Sequence, residues 1–383
     1  MRAVDFLLET LSHFIRLETS PPPGVPAHAG DDFEKELAAV CQAQHLAAIT
    51  LDSFEKLSLT QRLSRVSLER LRVMAKSDTE HARYMIELGS ALRESFAAAG
   101  IPCLFIGGLA AAVSWYPSPA FRHIDTIELL VREEDWESIT ALLEERGFIP
   151  PPGARSLSGS GTVLDFYQHV TPCVFRNARA GSVTLRFRMG VFGPPSAEEP
   201  AWRRPEKVNA VPPLEVPALE DRLIKCVLDW NRSGMTNLLM LVDIGLLLGR
   251  RRNDIDWEYV TGSLGESGFY TPFCLSLEYA LGLMKMQPVR TLPARPGAVR
   301  RKIFQMIWYP GADAYIGTGE RQNPLRFFLL ECGRMDRRLQ VLKRLGAPDA
   351  RWIAVLFNRA ATPWQKIRLM FLLLGGKLWS RRW

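Results

Sequence analysis

The chain has 383 residues, 47% hydrophobic and 23% charged, with a formal net charge of +7. That is enough to bury the cores of two or three domains. A basic balance suits phosphates, nucleic acid or anionic lipid without choosing among them, and no apolar run approaches the roughly 18 residues of a spanning helix.

Six scattered cysteines, Cys41, Cys103, Cys173, Cys226, Cys274 and Cys332, show no CxxC or zinc-finger spacing. They read as reduced, mostly buried thiols of a cytoplasmic protein. Asp5 and Glu9 interrupt the apolar core that a signal peptide needs, so export is not expected.

Residues 4–16 place Phe6, Leu7, Leu11, Phe14 and Ile15 at helical spacing. The run Pro21-Pro22-Pro23-Gly24 ends that helix. Asp31-Asp32 can cap a second helix through Gln44, and residues 59–99 read as one or two long helices with a broken apolar stripe. Residues 1–99 are thus expected to be an N-terminal helical region.

A core is expected over residues 100–192. Gly100-Ile101-Pro102 turns the chain into a strand over residues 103–106. Gly107-Gly108 then opens a helical run of small residues, which Tyr116-Pro117 breaks, and Arg122 lies on the following loop. Residues 124–131 read as a strand with acids placed in it. Residues 133–146 form an amphipathic helix with Trp136, Ile139, Leu142 and Leu143 on one face, stopped by Gly147. Residues 163–170 and 182–191 alternate as strands. This order predicts an α/β or α+β core with a small mixed sheet.

Residues 193–217 are rich in proline and charge and read as a linker or an extended lid. Beyond them the chain is helical to its end. Residues 236–250 are apolar almost all round, as a buried helix must be.

Glycines after a strand let backbone approach a phosphate. Acids two apart on a strand share one face. The order Gly107-Gly108, Tyr116-Pro117, Arg122, Thr126-Ile127-Glu128-Leu129-Leu130-Val131 resembles the polymerase-β-like nucleotidyltransferase superfamily. It is most similar to the uncharacterised bacterial nucleotidyltransferase-like family. Later segments fit the same order: Leu219-Glu220-Asp221, Leu241-Val242-Asp243-Ile244 and Asp256-Trp257.

The resemblance implies a small mixed sheet of nucleotidyltransferase type, N-terminal helices and a C-terminal helical domain over 218–383. It implies transfer of a nucleoside monophosphate from a nucleoside triphosphate to an acceptor, with Mg2+ held by three acids. Here the first acid position holds Thr126, the second Glu128 and the third Thr184, and Arg186 stands where the family has a histidine. Asp125 is one place early and should face the other way unless a bulge re-aims it. Asp165 lies on a nearby predicted strand.

The candidate catalytic residues are therefore Glu128 and Asp125, and the candidate metal ligands Glu128, Asp125 and Asp165. Gly107, Gly108, Arg122 and Arg186 are the candidate phosphate contacts. Two readings stay open. One is a metal-dependent nucleotidyltransferase acting on an unknown small-molecule or carrier acceptor in a bacterial biosynthetic pathway. The other is a catalytically degenerate nucleotide-binding or protein-interaction module, with Thr126 and Thr184 as ordinary strand residues.

His123 and His169 are either bases or structural, and the six histidines show no metal-ligand spacing. GxxxxGK[ST], GxSxG, HExxH and GxGxxG are absent from the sequence. The tail carries Trp364, Ile367, Met370, Phe371 and Leu374 on one helical face with basic flanks. That is the composition either of a membrane-peripheral helix or of one docked on its own domain. The basic runs 250–252 and 300–302 read as solvated helix ends, with no specific nucleic acid as partner.

Overall fold

A computed structural model describes residues 3–16, 30–151, 173–187, 200–208, 213–267 and 269–289. The predicted strand at 163–170, with Asp165 and His169, lies outside these residues, as do Cys332 and the basic aromatic tail. Among the described residues no helix is long and apolar enough to cross a membrane, and the described cysteines are free thiols.

Four helices lead in: α1 (Ala3–Ile15), α2 (Asp31–Ala43), α3 (Ala47–Lys56) and α4 (Arg65–Ala98). The first turn of α2 carries Asp31, Asp32 and Glu34 against the positive end of the helix dipole. A short turn at Thr60–Arg62 precedes α4, which runs unbroken for 34 residues.

Ser64 caps α4 by accepting from the Ser67 N–H. Buried Glu34 accepts in turn from the Ser64 N–H and from the Ser64 and Ser67 hydroxyls, tying α2 to the start of α4. Burial acts to raise the pKa of Glu34, but these hydrogen bonds outweigh it and hold the carboxyl below its ordinary 4.5.

Glu34→Ala should therefore cost about 2 kcal/mol in urea unfolding, the scale of hydrogen bonds to a charged group. Because the folded pKa is the lower one, the contribution is complete above the ordinary glutamate range. It is lost as pH falls through the folded pKa. The gap between parent and variant should close on acidification.

The α4 helix serves two cores. Leu71 and Ala75 pack among helices, whereas Met85, Leu92 and Phe96 pack beneath the sheet. The sheet has the order β1-β2-β4-β3, from β1 (Cys103–Ile106), β2 (Ile127–Val131), β3 (Cys173–Asn177) and β4 (Gly181–Arg186). The β2–β4 pair is parallel and the other two pairs are antiparallel, so the sheet is mixed as expected.

Two helices belong to this layer: α5 (Gly107–Trp115), which follows β1, and α6 (Trp136–Glu145), which follows β2. Trp136, Ile139 and Leu143 are the buried face of α6, three of the four residues expected there.

Alternation sorts the strands cleanly. Phe105, Ile127, Leu129, Val183 and Leu185 face the α4 side. Leu104, Ile106 and Leu130 face the other side, where Ala201 and Trp202 cover them. Glu128, Thr184 and Arg186 share the parity of this second face. The strand β3 was not anticipated, because its five residues include the polar pair Arg176-Asn177 and carry no alternation long enough to read.

Within 193–217 the described residues are 200–208 and 213–217, and several of them pack on the sheet. They include a ribbon of β5 (Glu206–Val208) and β6 (Leu214–Val216), and Leu214 and Val216 insert into the sheet core. The Arg132 guanidinium stacks 5.2 Å over Trp202.

Four helices follow: α7 (Leu219–Arg232), α8 (Leu238–Arg251), α9 (Trp257–Ser267) and α10 (Tyr270–Leu283). Residues 241–248 of α8 are all buried, as its composition predicted. Ile15 of α1 lies against Gly245 and Gly249, and the Ser12 hydroxyl donates to the Met284 carbonyl. N-terminal and C-terminal helices thus share one apolar core, which flanks the sheet layer.

Candidate functional site

A cleft of about 110 Å³ opens where β1, β2 and α5 meet α7 and α8. Its lining includes Gly107, Gly108, Glu128, Lys225, Asp229 and Asp243. Gly107 begins α5 at φ +64, in the left-handed region that favours glycine. A Cβ on Gly107 would collide with the Glu128 carboxylate, so Glu128 lies directly against the helix start. A carboxylate is stable there because the N-terminal end of α5 is electropositive.

Glu128 Oε2 stands 3.3 Å from Lys225 Nζ and 3.9 Å from Arg186 Nε. Lys225 is buried and also pairs with Asp229 one helical turn on. Burial disfavours its charge, but Asp229 and Glu128 outweigh that and raise its pKa. Lys225 is therefore an ammonium at neutral pH.

The acid positions implied by the sequence do converge. Glu128 pairs with Thr184 across β2 and β4, and Thr126 Oγ1 lies 3.0 Å from Thr184 Oγ1. Thr126 also donates to the Ser182 carbonyl at 3.1 Å. Carboxylates at such a separation repel unless a cation sits between them. Two hydroxyls share a hydrogen bond and need no ion.

Magnesium takes hard oxygen ligands, mainly carboxylates. Among the described residues four carboxylates line the cleft, and each already has a basic partner: Glu128 and Asp229 face Lys225, Asp243 faces Arg122, and Asp125 faces His123. That donor set does not fit a two-ion centre.

Asp125 sits in the bend before β2 and lines the cleft, with its carboxylate 3.2 Å from His123 Nε2. The hydrogen bond from His123 pulls its pKa down to about 2.

Arg122 is committed to Asp243. It is 6% exposed, and its Nε and Nη2 donate to Asp243 at 3.0 and 2.8 Å. The Tyr116 hydroxyl donates to the same carboxylate at 2.8 Å. Burial and the neighbouring Asp243 push the Tyr116 pKa well up. The Arg122 guanidinium lies against Gly108 and forms part of the cleft wall.

Lys225 and Asp229 were not singled out from sequence, and Asp243 was named only within a family-order motif. A signal existed for each. Asp243 is the one acid in the helix Leu238–Arg251, set in its apolar stretch, which requires a buried partner. Lys225 and Asp229 are four apart on α7, facing the cleft. The neighbouring motif acids have structural work: Glu220 accepts from the Asp256 N–H at the start of α9, and Asp221 accepts from the Tyr259 hydroxyl at 2.8 Å.

A small mixed sheet, a glycine-opened helix at its edge and one strand carboxylate beneath that helix define a nucleotidyltransferase-like protein. The family model described as an uncharacterised nucleotidyltransferase matches residues 32–285. The chain belongs to that family, and the match spans both the sheet layer and the helices that close the cleft. No curated protein and no solved structure shows significant similarity to it.

Proposed function

We infer that the cleft binds the phosphate groups of a nucleoside triphosphate without a two-ion centre. The observation that carries this reading is the setting of Glu128 beneath Gly107-Gly108, paired with Lys225 and Arg186, beside two motif positions that share a hydroxyl bond. Cations already gathered at a helix N-terminus favour an anion. Glu128 occupies that place in the free protein. A phosphate entering the cleft takes over Lys225 and Arg186 and displaces the carboxylate.

In this reading Lys225 neutralises phosphate charge. Arg186 pairs phosphate oxygens through its planar fork, and the Gly107 and Gly108 amides line the approach. Thr126 and Thr184 hold β2 and β4 together at the cleft floor.

Binding of ATP and GTP is measured by calorimetry in EDTA and again with Mg2+. Binding should occur in EDTA and disappear in Lys225→Ala. Glu128→Gln should tighten it several-fold, because the competing carboxylate loses its charge. Binding that requires Mg2+ and vanishes in Glu128→Gln would overturn the reading in favour of metal-dependent nucleotidyl transfer.

A further inference from the structure

We propose that His45, His123 and Asp125 form a binding site for one divalent transition-metal ion of the zinc class, at the edge of the glycine-lined cleft that Asp125 also lines. No spacing in the sequence announces it. Three elements bring it together: the turn between α2 and α3 supplies His45, the loop before β2 supplies His123 and Asp125, and α4 supplies Asp78 behind them.

Ligand atoms from His45, His123 and Asp125 all lie within 4.8 Å of one another. The His45 and His123 rings stack at 3.8 Å, 9° from parallel, and His81 stacks on the other side of His123 at 4.6 Å. Asp78 Oδ1 stands 3.5 Å from the Nδ1 atoms of both His45 and His123. The Asp78 carboxylate hydrogen-bonds His45 Nδ1, the kind of outer partner that orients a metal-binding histidine. His81 Nε2 is 3.0 Å from the Ile124 carbonyl, so this third ring acts as a wall.

His123 Nε2 and Asp125 Oδ1 are 3.2 Å apart. A zinc-sized ion about 2.1 Å from each would subtend roughly 100°, near the tetrahedral angle. A ligand atom of His45 lies within 4.8 Å of both and completes the set, and its side chain is 43% exposed. The backbone at His45 has φ 51, in the left-handed region that non-glycine residues seldom adopt. Such strain persists where surrounding structure holds a residue in place.

Imidazole with carboxylate suits zinc and its neighbours better than magnesium.

The full chain is stripped with a chelator, returned to buffer, and titrated with Zn2+ by calorimetry and with Co2+ by visible absorption. One ion per chain is expected, with the intense visible bands of tetrahedral Co2+. His45→Gln and Asp125→Asn should each weaken binding by about 10-fold or more, and Asp78→Asn by about 10-fold through lost orientation of the rings. Absence of uptake by the stripped chain overturns the proposal. So does uptake unchanged in the His45→Gln/Asp125→Asn double variant with an unaltered melting temperature.

Discussion

Asp243→Leu should lower the melting temperature by about 5 °C, the largest effect expected of any single substitution at the cleft. The change leaves the Arg122 guanidinium, 6% exposed, without its anion and the Tyr116 hydroxyl without its acceptor. Stranding one member of a buried ion pair costs about 3–5 kcal/mol, and in a chain of 383 residues each kilocalorie is worth about 1 °C. Removing the whole group is a different matter. The triple variant Tyr116→Phe/Arg122→Met/Asp243→Leu replaces three mutually satisfied polar groups with apolar ones of similar size. It should recover most of the loss.

Urea unfolding of the single, double and triple variants gives the coupling directly. A single variant within about 1 kcal/mol of the parent would mean that this tie contributes little. The tie joins the loop before β2 to α8, so it sets how the sheet layer meets the helical layer across the cleft. Loosening it should weaken nucleotide binding as well as stability.

Gly107→Ala should abolish nucleotide binding while leaving a folded protein. The residue sits at φ +64, where a side chain costs about 1–2 kcal/mol. Its Cβ would also press on the Glu128 carboxylate. Glu128 must then leave Lys225 and Arg186, and the start of α5 must shift, which removes the cradle geometry. A total loss of about 2–4 kcal/mol in unfolding is expected. Gly108→Ala provides the contrast: its Cβ would meet the Arg122 guanidinium at 3.5 Å, ordinary contact, so it should fold nearly as well as the parent. If Gly107→Ala binds ATP as the parent does, the glycine cradle plays no part in recognition.

Much of this was legible in the chain itself. The β1–Gly107-Gly108–α5 unit announced itself through an apolar run, a glycine pair and a stretch of small residues. The strand β2 announced itself as a β-branched and apolar segment with acids placed in it. The surround of α8 was readable because a helix apolar on every side has nowhere to go but inside. The β3 strand was not legible, because five residues with polar ends carry too little period. Nor was the shared core of α1 with α8, since nothing local in Leu11 or Ile15 names a partner more than two hundred residues away.

The site divides along the same line. Sequence alone determined which residue types stand at the motif positions: glycines at 107 and 108, threonines at 126 and 184, and a glutamate at 128. Where the family resemblance implies acids at 126 and 184, the sequence places hydroxyls. Only the tertiary structure decided what these side chains meet. Lys225 from α7 neutralises Glu128, the two threonines bond to each other, and Arg122 turns inward to Asp243. Charges find partners through space, and in a folded chain the nearest opposite charge can come from any element. Periodicity along the sequence fixes which face a residue shows, but the packing of helix against sheet fixes what that face meets.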